Sequence, residues 1–183
     1  MKRITLFLLV VLFLTGIAWA LEIGGKILPD KMKAGDTELM INGAGLRKKL
    51  IIKVYAGALY LPEKCSDAAK IVADDVPMAV KMHFIYRKVE PEKLIEAWNA
   101  GFAKSDISNL SQEIATFNSF FKEDAKKDDV YDIIYIPEEG TSFYINGNLI
   151  GTVAGYEFKK ALFGIWFSDA TELPGLRDAM LGK

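Results

Sequence analysis

Glu90 and Glu92, followed at helical spacing by Leu94, Trp98 and Phe102, are the closest approach to an acid/base pair in this sequence. Carboxylates in a first helical turn already have a reason to be there, because they face the positive end of the helix dipole, so a structural role is expected of both. His83 is the only histidine and Cys65 the only cysteine. One imidazole does not assemble a metal site, and one thiol excludes a disulfide within the chain; His83 is read as a packing or surface residue and Cys65 as a buried apolar filler. Asp128-Asp129 ends a run of mixed sign that begins at Lys122 and supplies too few oxygens for a cation. Gly147, Gly151 and Gly155 lack the G-x-x-x-x-G-K-S/T order of a phosphate loop and fit a hairpin leading into a helix. No metal and no cofactor are expected. On its own, Arg47 reads as an ion pair at a sheet edge or a loop residue in solvent. Tyr55 and Tyr60 read as strand residues whose hydroxyls sit at the rim of a core.

Periodicity defines the elements that must carry these residues. Residues 39–41 and 50–61 are strand-like apolar runs, with Asn42-Gly43-Ala44-Gly45 as the turn between them and Pro62 as the stop. Gly57 inside the second run points to a bulge or to something approaching the backbone closely. Residues 76–86 alternate Lys81 and His83 against Val80, Met82 and Phe84, the period of a strand. Helical spacing takes over at residues 90–102, and a second helix over 108–121 puts Leu110, Ile114, Phe117 and Phe121 on one face. Strands return at 131–136, 142–145 and 149–153, with Glu139-Gly140 and Asn146-Gly147 as turns, and helices over 156–167 and 173–181 close the chain. Strands, two helices, strands, helices is not the alternation of a doubly wound sheet. It predicts an α+β fold, an antiparallel sheet with helices packed on one face.

The chain begins with Met1, Lys2 and Arg3, continues with an apolar run to Trp19, and carries small residues at Ala18 and Ala20, where a signal peptidase reads them. A cleavable signal peptide over residues 1–20 is expected, followed by one domain over residues 21–183. The rival is a retained membrane anchor, since a stretch of about 18 uncharged residues is just long enough to be considered; Gly16 and the small-residue ending favour cleavage. No later run approaches spanning length, so no stable membrane span is expected after processing. The product would be periplasmic in a Gram-negative cell and secreted otherwise. Removing Lys2 and Arg3 leaves 21 basic against 24 acidic residues, a net charge of −3 with His83 neutral. That balance argues against a general nucleic-acid binder, which needs a basic surface.

Asn42-Gly43-Ala44-Gly45-Leu46-Arg47, then Lys53 to Leu61 with Tyr55 and Tyr60-Leu61, resembles the chalcone isomerase-like superfamily. The resemblance continues in family order through Trp98-Asn99-Ala100-Gly101-Phe102, the hairpin from Gly147 to Gly155, and Phe158-Lys159-Lys160-Ala161-Leu162 to Trp166. It implies an open-faced β-sandwich, a curved antiparallel sheet with helices on one side enclosing an apolar cleft. In true chalcone isomerases an arginine, matched by Arg47, holds the substrate's phenolate oxygen. Tyr55 stands where those enzymes carry a threonine. Glu90 or Pro91 and Ala97 stand where they carry a tyrosine and an asparagine, and Ile165 stands near their late serine or threonine, so four of five catalytic positions depart.

Arginine with a tyrosine in the threonine's place is the pattern of the family's fatty-acid-binding members, so the resemblance implies that Arg47 and Tyr55 hold a carboxylate. A guanidinium offers forked donors to such a group and a phenol adds one more. Each buried methylene contributes about 0.8 kcal/mol, so a ten-carbon tail contributes roughly 8 kcal/mol before ordering and association costs. Trp98, Phe102 and Ile165 are candidate cleft-lining residues, against a plain core role for the aromatics. The expected function is non-catalytic binding of a fatty acid or similar small hydrophobic carboxylate. The alternatives are an isomerase acting on another substrate, with Arg47 and Tyr55 as electrophilic and proton-transfer groups, and an interaction protein whose cleft is simply core.

Overall fold

The computed structural model describes residues 20–183; residues 1–19, nearly all of the expected signal peptide, lie outside the described residues. Two short strands, β1 (Leu21–Ile23) and β2 (Lys26–Leu28), form a separate hairpin. A seven-stranded antiparallel sheet follows, built from β3 (Lys31–Ala34), β4 (Thr37–Lys49), β5 (Ile52–Leu61), β6 (Met78–Phe84), β9 (Val130–Ile136), β10 (Gly140–Ile145) and β11 (Asn148–Val153). Its spatial order is β11-β10-β9-β6-β5-β4-β3. Between β5 and β6 lies α1 (Ala68–Ala73). The excursion between β6 and β9 holds α2 (Pro91–Phe102) and α3 (Ser111–Asn118), and its base is closed by a two-stranded pair, β7 (Lys88–Val89) with β8 (Ala125–Lys126). Helices α4 (Tyr156–Phe167) and α5 (Pro174–Met180) finish the chain.

Alternation along the strands gives the sheet two apolar faces. One carries Tyr55 and Leu59 from β5, Val80, Met82 and Phe84 from β6, Tyr131, Ile133 and Tyr135 from β9, and Phe143 from β10, all buried beneath the helices. The helices answer with rows at helical spacing: Leu94, Trp98 and Phe102 from α2, and Phe158, Leu162 and Trp166 from α4. The opposite face buries a smaller cluster, Leu28, Leu39, Ala56, Ala58, Tyr60 and Ala79, partly beneath the β1–β2 segment. This is the α+β architecture expected, with the alternation of residues 76–86 and the helical rows of 90–102 and 156–167 where they were read.

The expected turn at Asn42–Gly45 is a correction. Those residues lie inside β4, a strand of 13 residues, and the chain reverses instead at Leu50-Ile51. Turn-forming composition loses here because the residues serve a tertiary contact. Asn42 occupies a register irregularity between Ile41 and Gly43; its amide donates to the carbonyls of Cys65 (2.8 Å) and Met180 (2.9 Å) and accepts from the Cys65 N–H (2.8 Å). A Cβ on Gly43 would collide with the Ala179 carbonyl and lie 2.8 Å from that of Met180, while one on Gly45 would lie 2.6 Å from the Ala179 Cβ. The glycines clear a seat for α5. Gly57 behaves as the close-approach reading expected, with Leu176 of α5 3.3 Å from its missing Cβ. Cys65 is half-buried at the margin of the larger cluster, not the buried filler expected; its N–H donates to the buried Asn42 side chain. The helix read over 108–121 is confined to Ser111–Asn118.

Candidate functional site

Arg47 and Tyr55 are direct cross-strand partners between β4 and β5. Directly opposed residues project to the same face of a sheet, which for Tyr55 is the helix-covered one. Tyr55 is buried against Phe84, with ring centroids 5.8 Å apart, and its Oη accepts a hydrogen bond from the Trp166 indole N–H at 3.1 Å. Burial pushes the phenol up to about 12, against smaller opposing effects of the Trp166 hydrogen bond and the Arg47 charge. Tyr55 therefore keeps its proton at neutral pH and is a donor there, not a base. Half-buried Arg47 gives one N–H to the Lys48 carbonyl, and among the described residues no carboxylate lies within salt-bridge distance of it.

A cleft of about 560 Å³ opens beside Arg47. Its floor is the edge of β4 from Gly45 to Lys48, left uncovered because β3 pairs only with Thr37–Met40. One wall comes from Glu22–Gly24 and the other from the α4–α5 connection and the start of α5, with Leu173, Pro174 and Leu176. That connection is pinned by Thr171, which donates to the Ile165 carbonyl at 2.8 Å, and by Arg177, which donates to the Ser168 carbonyl at 3.1 Å. A larger cleft of about 660 Å³ lies between the α3–β8 segment and strands β9–β11; mixed charges from Lys122, Glu123, Asp124 and Lys126 rim it, and neither Arg47 nor Tyr55 reaches it.

Trp98 and Phe102 sit inside the aromatic core. Trp98 lies 5.6 Å from Trp166 and 5.4 Å from Phe117, centroid to centroid, and Phe102 is fully buried against Phe117 and Phe158. The buried Trp98 indole N–H has no partner among the described residues. Ile165 is half-buried and packs on Gly101, whose missing Cβ would lie 2.9 Å from it, so it joins α4 to α2. Arg47, Tyr55 and Trp166 thus form one unit. Trp98 connects to it through Trp166, whereas Phe102 and Ile165 belong to the helix packing. The Trp166–Tyr55 bond spans 111 positions, and nothing in local pattern signals it. Nor does sequence spacing identify Leu173–Leu176 as a wall.

Among the described residues there is no cluster of three or more His, Cys, Asp or Glu able to hold a metal ion, and no helix is long and apolar enough to cross a membrane. A family model described as chalcone isomerase-like matches residues 20–182. A solved fatty-acid binding protein of Arabidopsis thaliana superposes with a TM-score of 0.67 at 21% identity, covering 86% of this chain and 92% of that one. At that identity the likeness is one of fold. Among curated proteins no sequence matches significantly.

Proposed function

From the premise that this chain belongs to the chalcone isomerase-like family, we propose that it binds a small amphipathic carboxylate, a fatty acid or a related hydrophobic acid, without catalysing a reaction. The carrying observation is the Arg47–Tyr55 cross-strand pair: a guanidinium that makes no salt bridge among the described residues and lines an open cleft, and behind it, on the helix-covered face, a buried phenol that keeps its proton. The Arg47 guanidinium suits an anion and is the cationic end of a cleft also lined by Glu22 and Glu172, and a carboxylate drawn in far enough to meet Tyr55 would accept from both. A cleft of about 560 Å³ is within the range of small-molecule sites. Leu46, Leu173, Pro174 and Leu176 give the tail an apolar wall. The solved fatty-acid binding protein of the same fold supports the ligand class. In this reading the N-terminal leader carries the chain out of the cytoplasm, and residues 21–183 act as the binding domain.

The test is native mass spectrometry of protein purified without detergent, followed by titration with a fluorescent fatty acid. A retained or titrated acid is expected. Arg47→Ala should weaken it by about 2 kcal/mol, roughly thirtyfold, as the loss of a charged hydrogen-bond donor. Tyr55→Phe should cost about 1 kcal/mol, roughly fivefold. A folded protein that carries no acid and binds none in an Arg47-dependent way would sink the proposal.

A further inference from the structure

The tip of the β4–β5 hairpin breaks three local rules at once. Leu50 and Ile51 form the two-residue connection between Lys49 and Ile52, and Leu50 takes a φ of +57°. Positive φ in such a turn ordinarily selects glycine, asparagine or aspartate. Among the described non-glycine residues with positive φ, the others are Asp128, Glu138 and Asn146, so Leu50 alone is apolar. Both side chains then project into solvent, Leu50 93% and Ile51 94% exposed, with Ile52 43% exposed behind them. Finally, Lys48 and Lys53 lie directly opposite one another across the ladder, where like charges repel. Neither turn chemistry, nor the core, nor cross-strand pairing selects the sequence Lys48-Lys49-Leu50-Ile51-Ile52-Lys53.

One environment satisfies all three choices. We propose that this hairpin docks the protein on an anionic lipid surface, with Leu50 and Ile51 entering the apolar side of the headgroup boundary and Lys48, Lys49 and Lys53 resting against the phosphates. Among the described residues none of these lysines forms a salt bridge, so their charge is available to an anionic partner. Their aliphatic stems can lie along apolar surface while the ammonium groups stay with the headgroups. A fluid acyl layer accepts a small wedge of aliphatic side chains, whereas a protein groove would be expected to meet an aromatic or hydrogen-bonding anchor, and this tip has none. The inference stands without the carboxylate reading, although the tip adjoins Arg47 and would bring the cleft to a lipid surface.

An environment-sensitive fluorophore on Ile51→Cys, in a Cys65→Ala background of the full chain as produced, reads the tip directly. With vesicles of equal phosphatidylcholine and phosphatidylglycerol, its emission should rise and shift to the blue, and the response should fade with added salt. The same label on Glu139→Cys, exposed in the β9–β10 turn at the opposite end of the sheet, should not respond. In vesicle partitioning, Leu50→Ser with Ile51→Ser should weaken binding about tenfold or more. Each of Lys48→Gln, Lys49→Gln and Lys53→Gln should weaken it roughly fivefold. The proposal is overturned if the label at residue 51 does not respond, responds equally to phosphatidylcholine alone, or responds without vesicles as protein concentration rises. That last outcome would identify a second copy of the chain as the occupant.

Discussion

Lys159 shows at the scale of one residue how this fold handles a charge it has enclosed. The side chain is fully buried, and its ammonium donates to the carbonyls of Ile71 (3.0 Å), Val72 (2.8 Å) and Asp74 (2.6 Å), closing the C-terminal end of α1. Those carbonyls have no partner within their own helix, so the lysine supplies what a helix end lacks. The rings of Tyr135, Tyr156 and Phe163 surround it at 5.5–5.7 Å. Burial pushes the amine down to about 8, although the Asp74 and Asp75 charges hold it up. A folded value below the free lysine value means that the unfolded chain holds the proton more tightly between about pH 8 and 10, so this group's contribution to stability rises with pH across that window. Urea denaturation at pH 7.5 and 9.5 should show that rise in the wild type and not in Lys159→Met. The variant should also be less stable at pH 7 by about 2–3 kcal/mol, because three carbonyls lose their donor.

Among the elements, α5 shows most fully how a position can rest on absent side chains. Gly43 and Gly45 on β4 and Gly57 on β5 let it lie against the sheet, and Asn42 ties its last turn through the Met180 carbonyl. Gly43→Ala should push the end of α5 away and destabilise the protein by about 1–3 kcal/mol, the ordinary cost of overpacking. Gly175 is the matched control: it lies in the first turn of α5 with open space around its missing Cβ and no positive φ. Gly175→Ala should be neutral or stabilising by about 0.5 kcal/mol through helix propensity. Thermal unfolding of both variants, with hydrogen exchange of residues 174–181, checks the contrast. Loss of exchange protection in the Gly175 variant, or none in the Gly43 variant, would refute it.

At the scale of the whole molecule, the sheet is a shared wall between two apolar clusters. Ala56, Ala58 and Tyr60 on β5 face one, while Tyr55, Leu59 and Leu61 face the other. Fully buried Leu28 is the contribution of the β1–β2 hairpin, and Lys26 next to it pairs with Asp128. Leu28→Ala should therefore cost about 2–4 kcal/mol, since it leaves a cavity under a strand common to both clusters. Trp166 lies in the other cluster, yet its fluorescence should report the same shift in denaturation midpoint as far-UV circular dichroism, because the two faces cannot unfold separately. Separate transitions would show that the N-terminal hairpin folds as an independent appendage.

Wherever burial repeated with the period of its own element, the amino-acid sequence by itself determined the structure. The alternation around Lys81 and His83, the row Leu94–Trp98–Phe102, the Asn146-Gly147 turn and the helix over 156–167 needed no distant partner to be read, and the residues around Arg47 carried the family resemblance. Local pattern failed where a residue answers to something far along the chain. Asn42–Gly45 has the composition of a turn but is a strand seating a helix some 135 positions later; Leu50-Ile51 has the composition of a strand but is the turn. Local pattern does not separate Lys159 from its neighbour Lys160 until α1 supplies acceptors for the first, and Tyr55 looks like strand packing until Trp166 reaches its hydroxyl. Such contacts gain their free energy from pairs brought together by folding, so only the tertiary structure could decide them.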